Sequence, residues 1–179
     1  MFHKPVTSFP DCGTYRKFGY EKRHTGDDYP AAVGNYVCAV LDSEVVLSQE
    51  LNGFGSLNPS SSGGCVIVKH RSEGAFSRQF FAVYGHLNRW KGVGAKIHKG
   101  DVIGTIRTFS NGADVLPHLH FGIYTGSVMP TSHLGYNDNL AGYHDPDVWL
   151  ATYATGSNKC IVPSLAEWSP RLFSSSRSE

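Results

Sequence analysis

The tetrapeptide His118-Leu119-His120-Phe121 constrains this chain more than any other stretch. Side chains alternate faces along an extended strand, so the two imidazoles project to one side while Leu119 and Phe121 project to the other. Such a strand needs a core under one face and leaves the opposite face for chemistry. Apolar runs of strand length recur at Tyr36–Val40, Glu44–Leu47, Cys65–Val68, Phe80–Tyr84, Val102–Ile106 and Leu119–Tyr124. The first two, separated by Leu41-Asp42-Ser43, are expected to form a bent strand or a hairpin. Gly53–Gly64 has the composition of a turn or loop joining antiparallel strands. The fold class these runs predict is mainly β with long loops. One short C-terminal helix is predicted, with Asp145 as N-cap and Pro146 at the first helical position, running through Trp149 and Tyr153.

Three further segments carry polar groups suited to a metal: His24-Thr25-Gly26-Asp27-Asp28, Tyr84-Gly85-His86-Leu87 and Asp145-Pro146. Neutral imidazole nitrogens and carboxylate oxygens are good zinc ligands, and a catalytic zinc takes three of them and keeps a fourth position open. In an extended segment His24, Gly26 and Asp28 share one face, which makes Asp28 the ligand and sends Asp27 to solvent. Gly26 permits a bend or a close approach of another group. A helical reading of this segment is weakened by Gly26 inside it and Pro30 just after it. No HExxH string occurs, so the glutamate base of many metalloproteases is missing and another group has to move the proton.

In this order the motifs resemble the lysostaphin-type zinc endopeptidases of bacterial cell-wall turnover. The likeness covers roughly residues 18–150, including Phe18-Gly19-Tyr20, the segments Pro30–Ala39 and Val93–Gly104, and Asp145–Leu150. It implies an antiparallel β-sheet with a groove, divided into an N-terminal extension (1–17), a metallopeptidase catalytic domain (18–155) and a polar tail (156–179). It implies that His24, Asp28 and His120 bind Zn2+, with His86 and His118 as catalytic residues beside the reacting water. His118 is the first choice for the base because it shares a strand face with His120. His86 suits the oxyanion or the leaving amine. Tyr84, two residues before His86 on the same presumed face, is a candidate oxyanion donor or substrate contact, although packing is the commoner role for such a tyrosine. The implied activity is hydrolysis of stem peptides or cross-bridges of peptidoglycan. The alternative is a non-catalytic domain of the same fold that binds peptidoglycan or activates another hydrolase. Two segments depart from the family pattern, 107–117 and the insertion 125–143, and both are expected to border the cleft.

The formal net charge of +1 argues against a nucleic-acid partner, which would usually demand a concentrated basic face. No apolar run approaches the roughly 18 residues of a membrane span. A wall substrate implies a periplasmic or extracellular location, yet Met1–Thr7 does not open as a secretory signal. A phage-type lysin released by lysis would reconcile the two. Oligomeric state is not legible. Cys12, Cys38, Cys65 and Cys160 could pair in three ways. A free buried thiol is the simpler reading for Cys38 and Cys65, which lie in apolar runs. His70 is expected to be a surface or hydrogen-bonded structural residue and His98 to be solvated. His133, in the insertion, and His144, at its end, are expected at most to rim the site.

Overall fold

The computed structural model describes residues 16–52, 54, 62–70, 79–107, 117–129 and 133–153. Among them β1 (Gly26–Pro30), β8 (His118–Tyr124), β5 (Phe80–Arg89), β4 (Ser62–His70), β3 (Ser43–Asn52) and β6 (Lys96–Ile97) lie side by side in that order. β7 (Val102–Ile106) pairs with β5 and carries β2 (Tyr36–Cys38), while β9 (Tyr143–His144) pairs with β8. Every pairing is antiparallel. The architecture is thus mainly β with a single helix, α1 (Pro146–Tyr153), as expected. The Asp145 carboxylate accepts the backbone N–H of Val148 at 3.1 Å, which satisfies one of the free donors of the first helical turn. Two expectations need correction. Tyr36–Cys38 pairs with β7 and not with β3, so the runs on either side of Leu41–Ser43 belong to different strand pairs and form no hairpin. Most of Gly53–Gly64, of 107–117 and of the terminal segments lies outside the described residues.

Alternation along β5 and β8 divides the apolar residues between two faces. Leu119, Phe121 and Ile123 join Tyr29, Val66, Val68, Phe80, Ala82, Tyr84 and Trp149 in the larger core. Cys65, Ile67, Phe81 and Val83 form a smaller cluster on the opposite face with Phe54 and Leu134. His118 and His120 share this second face, so the sheet is covered on both sides. Covering both faces explains why the placement of Asp27 in solvent fails. The parity argument holds, since Asp27 pairs in register with Phe121 and Asp28 with His120. The face opposite Asp28 is core, however, and Asp27 is fully buried there.

β5 breaks its own alternation just where the site begins. Val66 faces Tyr84 and Gly64 faces Leu87, so Gly85 and His86 together oppose the single residue Cys65. This bulge puts His86 at φ 65°, in the left-handed region that non-glycine residues seldom adopt. Below the bulge β5 pairs with β8, and above it with β7. His86 therefore occupies the junction of two strand pairs.

Gly26 and Gly85 are required by close approach. A Cβ at Gly26 would lie 2.3 Å from the carbonyl oxygen of Phe121, and one at Gly85 would lie 2.2 Å from the Phe54 ring. The first is backbone against backbone and has no means of relief.

Candidate metal centre

Register places the ligand candidates before any side-chain choice is made. Asp28 stands directly opposite His120 across the β1–β8 pair, and His24 precedes β1 in a short bridge with Tyr136. From these positions three atoms converge. His24 Nε2 and Asp28 Oδ1 are 3.2 Å apart. His120 Nδ1 lies 3.1 Å from that oxygen and 3.2 Å from His24 Nε2. A tetrahedral zinc with ligands at about 2.0–2.1 Å requires ligand atoms separated by about 3.3 Å. The triangle fits that requirement with almost no movement. All three residues are at most 2% exposed, so without a cation between them they would crowd a carboxylate and two imidazoles into the interior.

The electrostatics agree with this arrangement. Burial alone would raise the Asp28 pKa, but hydrogen bonding from His120 and His24, with added charge from His118, outweighs it and holds the carboxyl well below the usual range. Burial, only partly offset by Asp28, pushes His120 down, toward the neutral form that ligates a metal. His24 is oriented from behind, its Nδ1 donating to the Lys17 carbonyl at 3.0 Å, so that Nε2 is the nitrogen turned to Asp28 and available to a metal. His120 Nε2 is a buried nitrogen with no hydrogen-bond partner among the described residues.

His86 and His118 lie alongside. Their rings are 4.4 Å apart, and His118 Nε2 is 3.8 Å from Asp28 Oδ1. His86 Nδ1 donates to the Phe54 carbonyl at 2.7 Å. Burial, together with the neighbouring His118 and His120, pushes His86 well below the ordinary imidazole value. Phe54 also packs its ring against both His86 and His120, with centroids 5.4 and 5.6 Å away.

Tyr84 is not brought to this group. The bulge turns it to the face opposite His86, where its hydroxyl accepts the Val40 backbone N–H at 3.1 Å and its ring packs on Phe121. The oxyanion role rested on even spacing between residues 84 and 86, and one inserted residue defeats it.

Two neighbours of the centre have no counterpart in the sequence reading. Phe54 fixes His86 through a backbone carbonyl, which leaves no motif. Tyr136 lies in the insertion, its ring 5.0 Å from that of His24 and its hydroxyl accepting Arg16 Nη1 at 3.0 Å. The insertion is held against the His24 segment by backbone bonds from Thr25 to Gly135 and from Asn137 to Arg23. Main-chain bonds of this kind leave no residue-type signal in the sequence.

His70, His98 and His144 take no part in the triangle. His70 is buried and donates through Nδ1 to the Asp42 carbonyl at 2.9 Å, while His98 is exposed. His144 Nε2 bonds the Thr125 hydroxyl at 2.8 Å. Cys65 is a free, buried thiol. Cys38 is disulfide-bonded to a partner outside the described residues, contrary to the free-thiol expectation. Burial in an apolar run suits a half-cystine as well as a thiol.

Residues 22–133 match the model of peptidase family M23. The fold is similar to that of LytU, with a TM-score of 0.53 and 19% identity over 85% of this chain and 88% of that one. It is also similar to the antimicrobial peptidase lysostaphin of Staphylococcus simulans, with a TM-score of 0.57 and 21% identity over 86% of this chain and 56% of that one. No curated protein sequence matches.

Proposed function

We propose, starting from the fact that the chain belongs to peptidase family M23, that it is a zinc endopeptidase cleaving the peptide part of bacterial peptidoglycan. The observation that carries this reading is the triangle of His24 Nε2, Asp28 Oδ1 and His120 Nδ1, with sides of 3.1–3.2 Å and two further histidines beside it. A zinc ion held by those three atoms would supply Lewis acidity, polarising the scissile carbonyl and making water a better nucleophile.

The chain's own groups supply the proton transfers. Because His86 Nδ1 donates to Phe54, its neutral ring presents the Nε2 lone pair, which accepts a proton from the attacking water. This gives His86 the acceptor's tautomer, whereas the sequence reading preferred His118 as base. His118, ring to ring with His86, is placed to pass that proton to the departing amine. Burial of all five side chains removes competing water and strengthens each of these interactions.

The substrate class rests on the family together with the lysostaphin-like fold. It places the work outside the cytoplasmic membrane, in the periplasm or wall or after phage-type lysis. No helix among the described residues is long and apolar enough to cross a membrane. The test is mass spectrometry of peptidoglycan from several wall types, incubated with zinc-loaded protein, chelated protein and the His118→Ala variant. New peptide ends only with the zinc-loaded parent are expected. No new ends, despite one zinc bound per chain, would turn the reading to a non-catalytic wall-binding or activating domain.

A further inference from the structure

Asp27 is fully buried on the sheet face away from the metal triangle, yet it is linked to that triangle through a single peptide group. Its Oδ1 accepts the backbone N–H of Phe18 at 2.7 Å. The carbonyl of the same peptide unit, Lys17 C=O, accepts His24 Nδ1–H at 3.0 Å. A trans peptide points its N–H and C=O in opposite directions, so the carboxylate and the imidazole grip opposite ends of one dipole. We propose that Asp27 is a positioning residue for the metal centre, acting through the Lys17–Phe18 peptide to fix the orientation and tautomer of His24. The inference rests on the proposed zinc site.

The physical argument is one of polarisation and restraint. A carboxylate bonded to the N–H draws the peptide's electrons toward its oxygen, making Lys17 C=O a stronger acceptor for the imidazole N–H. His24 Nδ1 is thereby kept protonated, so that Nε2 is the nitrogen left to meet a metal. Metal-ligating histidines commonly gain this service by direct contact with a carboxylate. Here one peptide group stands between them, which lets the carboxylate sit on the opposite face of the sheet. The Tyr29 hydroxyl lies 3.3 Å from Asp27 Oδ2 and donates to Asp147 Oδ1 at 2.7 Å, and Lys17 Nζ is 3.5 Å from Asp147 Oδ2. Tyr29 thus stands between Asp27 and the first turn of α1 and fixes the wall against which the Asp27 carboxyl packs. The loop needs such restraint: Glu21 and Lys22 both adopt positive φ, at 53° and 60°, between Phe18 and His24.

The experiment uses the full chain, with imidazole nitrogen NMR of metal-free protein and zinc affinity by chelator competition, for the parent, Asp27→Ala and Asp27→Asn. The parent is expected to show His24 with a protonated Nδ1 before any metal is added. A bare Nδ1 in the parent overturns the proposal without reference to any variant. Asp27→Ala is expected to mix the two His24 tautomers and weaken zinc binding about 10–100-fold. Asp27→Asn keeps an oxygen for the Phe18 N–H and is expected to retain the parent's tautomer, with affinity within a few-fold. Unchanged tautomer and affinity in a folded Asp27→Ala would overturn the relay while leaving the zinc site standing. A parent that binds no zinc would instead defeat the metal reading, and the metal-free His24 signal would still decide the relay.

Discussion

Asp28 and His120 are direct partners in the β1–β8 register, and Asp28 Oδ1 and His120 Nδ1 come within 3.1 Å of each other across a two-strand ladder. A ligand pair set by register is insensitive to loop motion. We therefore expect His120→Ala and Asp28→Ala to abolish stoichiometric zinc binding, measured by metal analysis after gel filtration. His118→Ala should keep the metal and lose about 10²–10⁴ in turnover. Equal zinc loss in His118→Ala would mean that the division between ligands and proton carriers is wrong.

Metal removal should be felt as lost stability. With the triangle filled, an ion at 100 times its Kd adds about 2.7 kcal/mol to the folded state. Scanning calorimetry should show a higher melting temperature with zinc than after chelation. The difference should vanish in Asp28→Ala.

His70 predicts a pH dependence separate from the site. Burial pushes its pKa down to about 4, only partly offset by its bond to the Asp42 carbonyl. Its Nε2 has no partner among the described residues and its ring stacks on Phe80 at 4.2 Å. The unfolded chain takes up this proton near pH 6.5 and the folded chain only near pH 4, so stability falls as pH drops through that window. The loss amounts to about 3 kcal/mol. Urea unfolding across pH 4–6.5 should show a shallower slope in His70→Gln than in the parent. Parallel slopes would assign the acid sensitivity elsewhere.

Gly85→Ala tests the packing behind His86. Its methyl would meet the Phe54 ring at 2.2 Å and His120 Cβ at 3.2 Å, so Phe54 has to move and its carbonyl with it. Overpacking of this kind costs about 1–3 kcal/mol. Urea midpoints should fall accordingly, and turnover should fall further than the stability loss alone explains, because His86 loses its Phe54 acceptor.

Tyr136 separates ring from hydroxyl. Tyr136→Phe leaves the ring contact and the backbone bridge to His24 intact and should leave zinc affinity within about twofold. Tyr136→Ala removes the ring and should weaken it about tenfold. Chelator competition measures both.

The site was readable from the chain to the extent that it obeys local periodicity. His118 and His120 follow period two on a strand, as do Gly26 and Asp28, and register then brings Asp28 to His120. What was missed depends on events outside any window. Tyr84 and His86 part company because of one bulged residue, which no spacing rule reports. Asp27 goes to core because the second face of the sheet is covered, a tertiary fact. Phe54 serves through its backbone and Tyr136 from a distant insertion, so neither offers a residue type at a fixed offset. Cys38 was misread because its apolar neighbours say where it lies and nothing about its bonding. The helix was legible from Asp145-Pro146 because capping is local chemistry.

The bulge at His86 also has a mechanical meaning. His118 rides on β8 alone, whereas His86 stands where β5 leaves β8 for β7. Any twist or shear between the two halves of the sheet is concentrated at that fork, and it changes the spacing of the two histidines before it changes the β1–β8 ligand pair. On the proposed function, the Asp28–His120 part of the metal site would rest on one ladder and proton transfer on a joint. Strain applied far out on the β7 side would then be felt first as slower turnover with the Asp28–His120 pair still in place.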